Sequence, residues 1–99
     1  MTALLYQLKN VHLFKKKWVK VTDIPDKRQD FCACAFIDSI YTFGGFKSGR
    51  GYTNSCLEFD AKTLNWKEVA KMNRKKAFAA CAVYEGNIVV SGGSENQNR

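Results

Sequence analysis

The stretch Ile40-Tyr41-Thr42-Phe43-Gly44-Gly45 returns 48 residues later as Ile88-Val89-Val90-Ser91-Gly92-Gly93. Each is a run of apolar, β-branched and aromatic residues closed by a glycine doublet, the composition of a strand that ends in a sharp turn. The same offset sets Trp18 against Trp66, Val21 against Val69 and Lys27 against Lys75. Conservative pairs fall between them: Ile24 with Met72, Arg28 with Lys76, Phe36 with Tyr84. Two tryptophans and two glycine doublets in one register make an internal repeat, and a period of about 50 belongs to solenoids and propellers.

Around these doublets the chain reads as strands. Phe31, Ala33, Ala35 and Ile37 alternate with Cys32, Cys34 and Phe36; none is charged, which predicts a strand buried on both faces. Asp38-Ser39 interrupts it before Ile40. In the second copy a run over residues 79–84 precedes Glu85, and Gly86-Asn87 predicts a two-residue hairpin turn. Residues 55–60 and 66–70 read as a third and a fourth strand joined by a polar turn. Propensity disagrees over 66–83, where Glu68, Ala70, Lys71, Met72, Lys75, Lys76, Ala77, Ala79 and Ala80 favour helix. The aligned first copy carries Val19, Val21, Thr22, Ile24 and Pro25, and a proline there breaks a helix. Repeats share a fold, so strand is predicted in both.

The run Asn54-Ser55-Cys56-Leu57-Glu58-Phe59-Asp60-Ala61-Lys62-Thr63-Leu64-Asn65-Trp66, preceded by Gly44-Gly45, resembles a kelch repeat. It is most similar to the version in kelch-like proteins that carry BTB and BACK domains. In that family a glycine doublet ends the second strand of a four-stranded blade, an aromatic lies on the third, and a tryptophan follows after six residues. Phe59 and Trp66 keep that spacing, with Phe59 in place of the usual tyrosine. Ile24-Pro25-Asp26-Lys27-Arg28 resembles the link between blades, and Met72-Asn73-Arg74-Lys75-Lys76 departs from it by placing Lys76 where arginine is customary.

The resemblance covers residues 11–93 and implies an all-β fold: an incomplete kelch β-propeller, one four-stranded antiparallel blade flanked by two half-blades. Residues 1–30 are the latter half of a blade plus a link, 31–76 a complete blade plus a link, and 77–99 the first two strands of the next. Gly44, Gly45, Gly92 and Gly93 then end second strands, while Trp18, Phe59 and Trp66 supply apolar area between blades. Propellers have about four to eight blades, so a fragment is expected, with open faces and edges that favour self-association.

For function, the resemblance implies a protein-binding module. Its partner face is built by loops between second and third strands (residues 46–53 and 94–97) and by the links (26–30 and 73–76). The candidate contacts are Arg28, Lys47, Arg50, Tyr52, Arg74, Lys76, Glu95 and Asn96. Arginine makes paired hydrogen bonds to carboxylates, so an acidic peptide of a protein substrate suits Arg28, Arg50 and Arg74. Alternatively, Arg28 and Lys76 brace the blade junction and Arg50 sits solvated in its loop. The family role is that of a cytoplasmic substrate adaptor for a cullin-RING ubiquitin ligase, with the cullin scaffold recruited through a BTB domain that these residues lack. Actin binding is the other activity found among kelch proteins.

Other classes fit less well. Lys and Arg total 16 against 9 Asp and Glu, a formal charge of +7, which invites a nucleic-acid reading for Lys15, Lys16, Lys17 and Lys20 and for Lys71, Arg74, Lys75 and Lys76. No zinc-finger, RRM or helix-turn-helix pattern supports it, and the lysine run reads as a solvated turn ahead of Trp18. The longest uncharged stretch, residues 86–94, falls far below the roughly 18 residues of a membrane helix, so no membrane partner is expected. The N-terminus lacks an export pattern, so Cys32, Cys34, Cys56 and Cys81 are expected as free thiols. Cys32-Ala33-Cys34 is spaced too closely for a zinc knuckle, and the single histidine, His12, is too few for a copper site. No catalytic residue, metal or cofactor is expected, and Asp23, Asp26 and Asp30 read as solvated turn residues.

Overall fold

The computed structural model describes residues 4–12 and 15–95, and all regular structure among them is β. A long hairpin comes first: β1 (Leu4–His12) runs antiparallel to β2 (Lys15–Asp23). The central sheet is built from β4 (Cys32–Phe36), β5 (Ser39–Phe43), β8 (Cys56–Asp60) and β9 (Asn65–Val69), in spatial order β4-β5-β8-β9, every pair antiparallel. Three short strands, β3 (Arg28–Gln29) ahead of β4 and β6 (Phe46–Lys47) and β7 (Gly51–Tyr52) between β5 and β8, form a small separate sheet. A last hairpin pairs β10 (Ala80–Tyr84) with β11 (Asn87–Ser91).

The helix favoured by propensity over 66–83 does not form; β9, an extended link and β10 occupy that span, as the proline-bearing first copy requires. The offset of 48 extends to backbone conformation. Positive φ recurs at Asp30 (60°) and Phe78 (61°), at Ile37 (58°) and Glu85 (48°), and at both glycine doublets. Phe78 N–H donates to the Asp30 carbonyl at 2.8 Å, joining equivalent positions of successive repeats.

Burial concentrates on β8, where Cys56, Leu57 and Phe59 are buried together with Ile24 and Ala77 from the two links. The register places Phe59 opposite both Ile40 and Trp66, and its ring centroid lies 5.1 Å from that of Trp66. Trp66 Nε1–H in turn donates to Thr22 Oγ1 at 3.1 Å, fastening the first hairpin to the outer strand of the central sheet. The inner strand β10 packs on β4.

Four local expectations are corrected. The β10–β11 turn is Glu85-Gly86, not Gly86-Asn87, because Tyr84 and Asn87 already face one another in the ladder. Likewise Ser39 belongs to β5, opposite Phe36, and the first turn is Ile37-Asp38. Lys15, Lys16 and Lys17 lie within β2, where pairing with β1 satisfies the backbone while the Lys16 and Lys17 side chains remain in water. The β4 strand is not buried on both faces: Cys32, Cys34 and Phe36 are half-buried while Ala33 and Ala35 are exposed, since β10 covers one face and no described element covers the other.

Trp18 also departs from its repeat mate. It is 64% exposed, and Leu8 stands opposite it where the offset from the Phe59–Trp66 pair would set Val11.

Candidate partner-binding face

The loops and links meet at one edge of the central sheet. There β3, in the first link, pairs antiparallel with β6, and β6 with β7, so Arg28 faces Lys47 and Phe46 faces Tyr52. The rings of Phe46 and Tyr52 meet edge-to-face at 6.0 Å and 82°. In the second copy the same junction shrinks to one bridge, Ala77 with Ser94, held by reciprocal backbone bonds of 3.0 and 2.8 Å. Tyr52 Oη–H reaches Ser94 Oγ at 3.4 Å, linking the two junctions.

Arg28 is corrected from partner contact to internal brace. Its side chain is 1% exposed, and each guanidinium nitrogen donates inward. Nε and Nη2 clasp the Asp26 carboxylate at 2.7 Å each, Nη1 reaches the carbonyls of Gly44 and Ser55 at 3.3 Å, and Nη2 also reaches Ser55 Oγ at 3.2 Å. A buried charge is tolerable only when paired and hydrogen-bonded in this way. Asp26, expected as a solvated turn residue, is its partner. Hydrogen bonds from Arg28, and then from Lys47 (Nζ at 3.1 Å), hold its carboxyl down at about 2, well below the usual carboxylate range.

The second junction keeps the positions and reverses the signs. Forty-eight residues beyond Asp26 and Lys47 stand Arg74 and Glu95, and Arg74 Nη1 lies 3.0 Å from Glu95 Oε1. Lys76, in the place of Arg28, reaches Glu95 Oε2 at 3.8 Å rather than entering the sheet. Beside it opens a cleft of about 400 Å³ lined by Lys71, Met72, Asn73, Arg74, Lys76 and Val90. A second cleft of about 350 Å³ is lined by Lys27, Arg28, Gln29, Phe46 and Ser48. Arg50 is exposed at the β6–β7 tip, its backbone N–H bonded to the Lys47 carbonyl at 2.9 Å.

The geometry therefore brings Arg74, Lys76 and Glu95 together, sets Lys47 and Tyr52 at the neighbouring junction, and leaves Arg50 exposed at the tip; Asn96 lies outside the described residues. Sequence reasoning missed Asp26 and Ser55 as the acceptors that hold Arg28. The charge reversal between repeats, visible once Asp26 is aligned with Arg74 and Lys47 with Glu95, carried that signal. Among the described residues no group of three or more His, Cys, Asp or Glu side chains is placed to hold a metal ion. Burial pushes the Cys34 and Cys81 thiols up to about 11, so both stay protonated at neutral pH.

A four-stranded antiparallel sheet whose inner strand packs on that of the next unit, repeated every 48 residues, is the blade arrangement of a β-propeller. Comparison with known proteins gives the class its name. The Kelch motif model matches residues 27–73, and the strands are those of part of a kelch propeller. The chain is similar to Kelch-like protein 36 of Rattus norvegicus, 29% identical over 83 residues, covering 84% of this chain and 13% of that protein. It is similar to Kelch-like protein 30 of Homo sapiens, 32% identical over 83 residues, covering 80% of this chain and 14% of the other. Against the relatives it matches, the chain thus spans 12–14% of their length. The solved structure of YjhT superimposes with a TM-score of 0.80 at 22% identity, covering 95% of this chain and 29% of that one, which shows the shared fold.

Proposed function

We propose that this kelch-repeat chain is a protein-interaction module whose second junction takes an acidic segment of a partner protein. One observation carries the reading: Lys71, Arg74 and Lys76 wall a cleft that also presents apolar Met72 and Val90, and Glu95 already lies against two of those cations as a carboxylate would. A partner's aspartate or glutamate can take the same donors while an adjacent apolar side chain meets Met72. Arg50 and Tyr52 extend the face toward the first junction.

The test is fluorescence anisotropy of a labelled peptide of alternating glutamate and leucine, titrated with the chain. Arg74→Ala weakens binding about tenfold, the loss of roughly 1.4 kcal/mol; Glu95→Gln, which removes the internal competitor, tightens it; rising salt weakens it. Equal affinity of wild type and Arg74→Ala refutes the site. Single- and double-stranded oligonucleotides and filamentous actin serve as competing ligands, and preferential binding of either one also refutes it.

On similarity to kelch-like proteins, we further propose a place for this face in a cytoplasmic adaptor that selects substrates for a cullin-RING ubiquitin ligase, with residues 1–30, 31–76 and 77–99 as half-blade, blade and half-blade. The coding sequence upstream of Met1 decides the adaptor role. An open BTB–BACK frame supports it, and an in-frame stop removes it.

A further inference from the structure

We propose that Cys81 forms a disulfide with Cys32 or Cys34 when the chain meets a small-molecule disulfide, a redox-dependent staple across the seam between the central blade and the next. This goes beyond the partner-binding reading and does not rest on it. The seam is the contact of β10 on β4. The half-buried positions of β4 are Cys32, Cys34 and Phe36, and that of β10 is Cys81. Side chains alternate along a strand, so Cys32 and Cys34 share the face of β4 that β10 covers, and Cys81 is the β10 side chain set against them. The Cys81 thiol interacts with both of the others.

Packing alone does not call for three thiols here. Forty-eight residues after Cys32 and Cys34 stand Ala80 and Ala82, and forty-eight before Cys81 stands Ala33. The repeat thus carries alanine at every mate position, while three of the four cysteines converge on one seam. Cys56 is not a member. It lies on β8, with Phe43 of β5 between it and Cys32 in the ladder, and two strand spacings of about 4.8 Å exceed the roughly 7 Å that a disulfide can bridge.

The chemistry is thiol–disulfide exchange. A thiolate of the trio attacks one sulfur of the small disulfide, forming a mixed disulfide and expelling one small thiolate, which takes up a proton. A facing cysteine loses its proton, attacks the protein sulfur of the mixed disulfide and expels the second small thiol. Two protein thiols are oxidised to one disulfide, and one small disulfide is reduced to two thiols. Burial holds Cys34 and Cys81 at about 11, so only about one part in ten thousand of either is thiolate at pH 7, and closure quickens about tenfold per pH unit above it. The product ties residues 47 or 49 positions apart in sequence, joining two blades covalently.

The test equilibrates the full chain in mixtures of reduced and oxidised glutathione, quenches with acid, then denatures it and labels free thiols with N-ethylmaleimide for intact-mass and peptide analysis. The reduced chain takes four labels and the oxidised chain two, with the Cys81 peptide joined to the one holding Cys32 and Cys34 and with Cys56 labelled. A fold that sets these thiols together closes the bond at a ratio of oxidised to reduced glutathione at least about tenfold lower than the same chain in urea. Cys81→Ser and the double variant Cys32→Ser/Cys34→Ser keep every remaining thiol free, and far-UV circular dichroism verifies that both are folded. Cys81→Ala and Cys32→Ala/Cys34→Ala, the residues of the repeat mates, replace a variant that is not. Four labels on the oxidised wild type, a lasting glutathione adduct in place of the bond, a bond to Cys56, closure in folded Cys81→Ser, or equal ratios with and without urea each overturn the proposal.

Discussion

Replacing Gly44 by alanine tests the repeat geometry most directly, because its repeat mate Gly92 supplies an internal control. Both residues have left-handed backbone, φ +66° at Gly44 and +74° at Gly92, which costs an ordinary side chain about 1–2 kcal/mol. Their surroundings differ. A Cβ at Gly44 overlaps the carbonyl oxygen of Lys76, with Met72 Cε 3.0 Å and the Thr53 oxygen 3.2 Å away; at Gly92 nothing lies within 4 Å. The Lys76 carbonyl cannot move freely. It accepts from Gly45 N–H at 2.9 Å, Lys76 N–H donates to the Thr53 carbonyl at 3.2 Å, and Met72 N–H is tied to the Asn54 carbonyl at 3.0 Å. Making room breaks at least one of these bonds at roughly 1–3 kcal/mol. Gly44→Ala is therefore expected to cost roughly 2–5 kcal/mol and Gly92→Ala about 1–2. Urea denaturation followed by tryptophan fluorescence measures both; for a domain of this size each kcal/mol also lowers Tm by about 4–8 °C. Equal destabilisation by the two substitutions would refute the reasoning, since only the second link distinguishes the sites.

Arg28→Lys keeps the charge but loses the fork that spans Asp26, Gly44 and Ser55; it is expected to cost roughly 2–3 kcal/mol in the same urea assay, and a change below about 0.5 would mean the guanidinium geometry does not matter. The folded-state pKa of Asp26, about 2, lies below the ordinary 3.8, so its ionised form adds stability that is fully present above pH 3.8 and lost as pH falls toward 2. Asp26→Asn should flatten the fall of the urea midpoint within that window, and an unaltered acid limb would count against the pairing.

Much of this fold was legible because it repeats. Trp66 and the Gly44-Gly45 doublet anchor a register in which the first copy overrules a helical propensity in the second. What escaped the sequence depended on partners distant along the chain. Arginine is rarely buried, and Arg28 becomes so through carbonyls 16 and 27 residues away. The turn at Glu85-Gly86 was misplaced by one residue because Asn87 tolerates positive φ as well as a turn residue does, and ladder register decided between them. The two-sided burial expected of β4 depends on a covering element on each face, and Ala33 and Ala35 look the same in sequence whether that element is there or not.

The reversed ion pairs at the two junctions bear on how such a chain avoids confusing one blade with the next. Units of the same fold invite a link to dock on the wrong loop, a slip of one whole repeat that preserves strand pairing. Here such a slip would bring Asp26 against Glu95, or Arg74 against Lys47, each a meeting of like charges where the correct docking joins opposite ones. The two salt bridges act as an address written in sign: weak as fasteners, they separate right from wrong by attraction on one side and repulsion on the other.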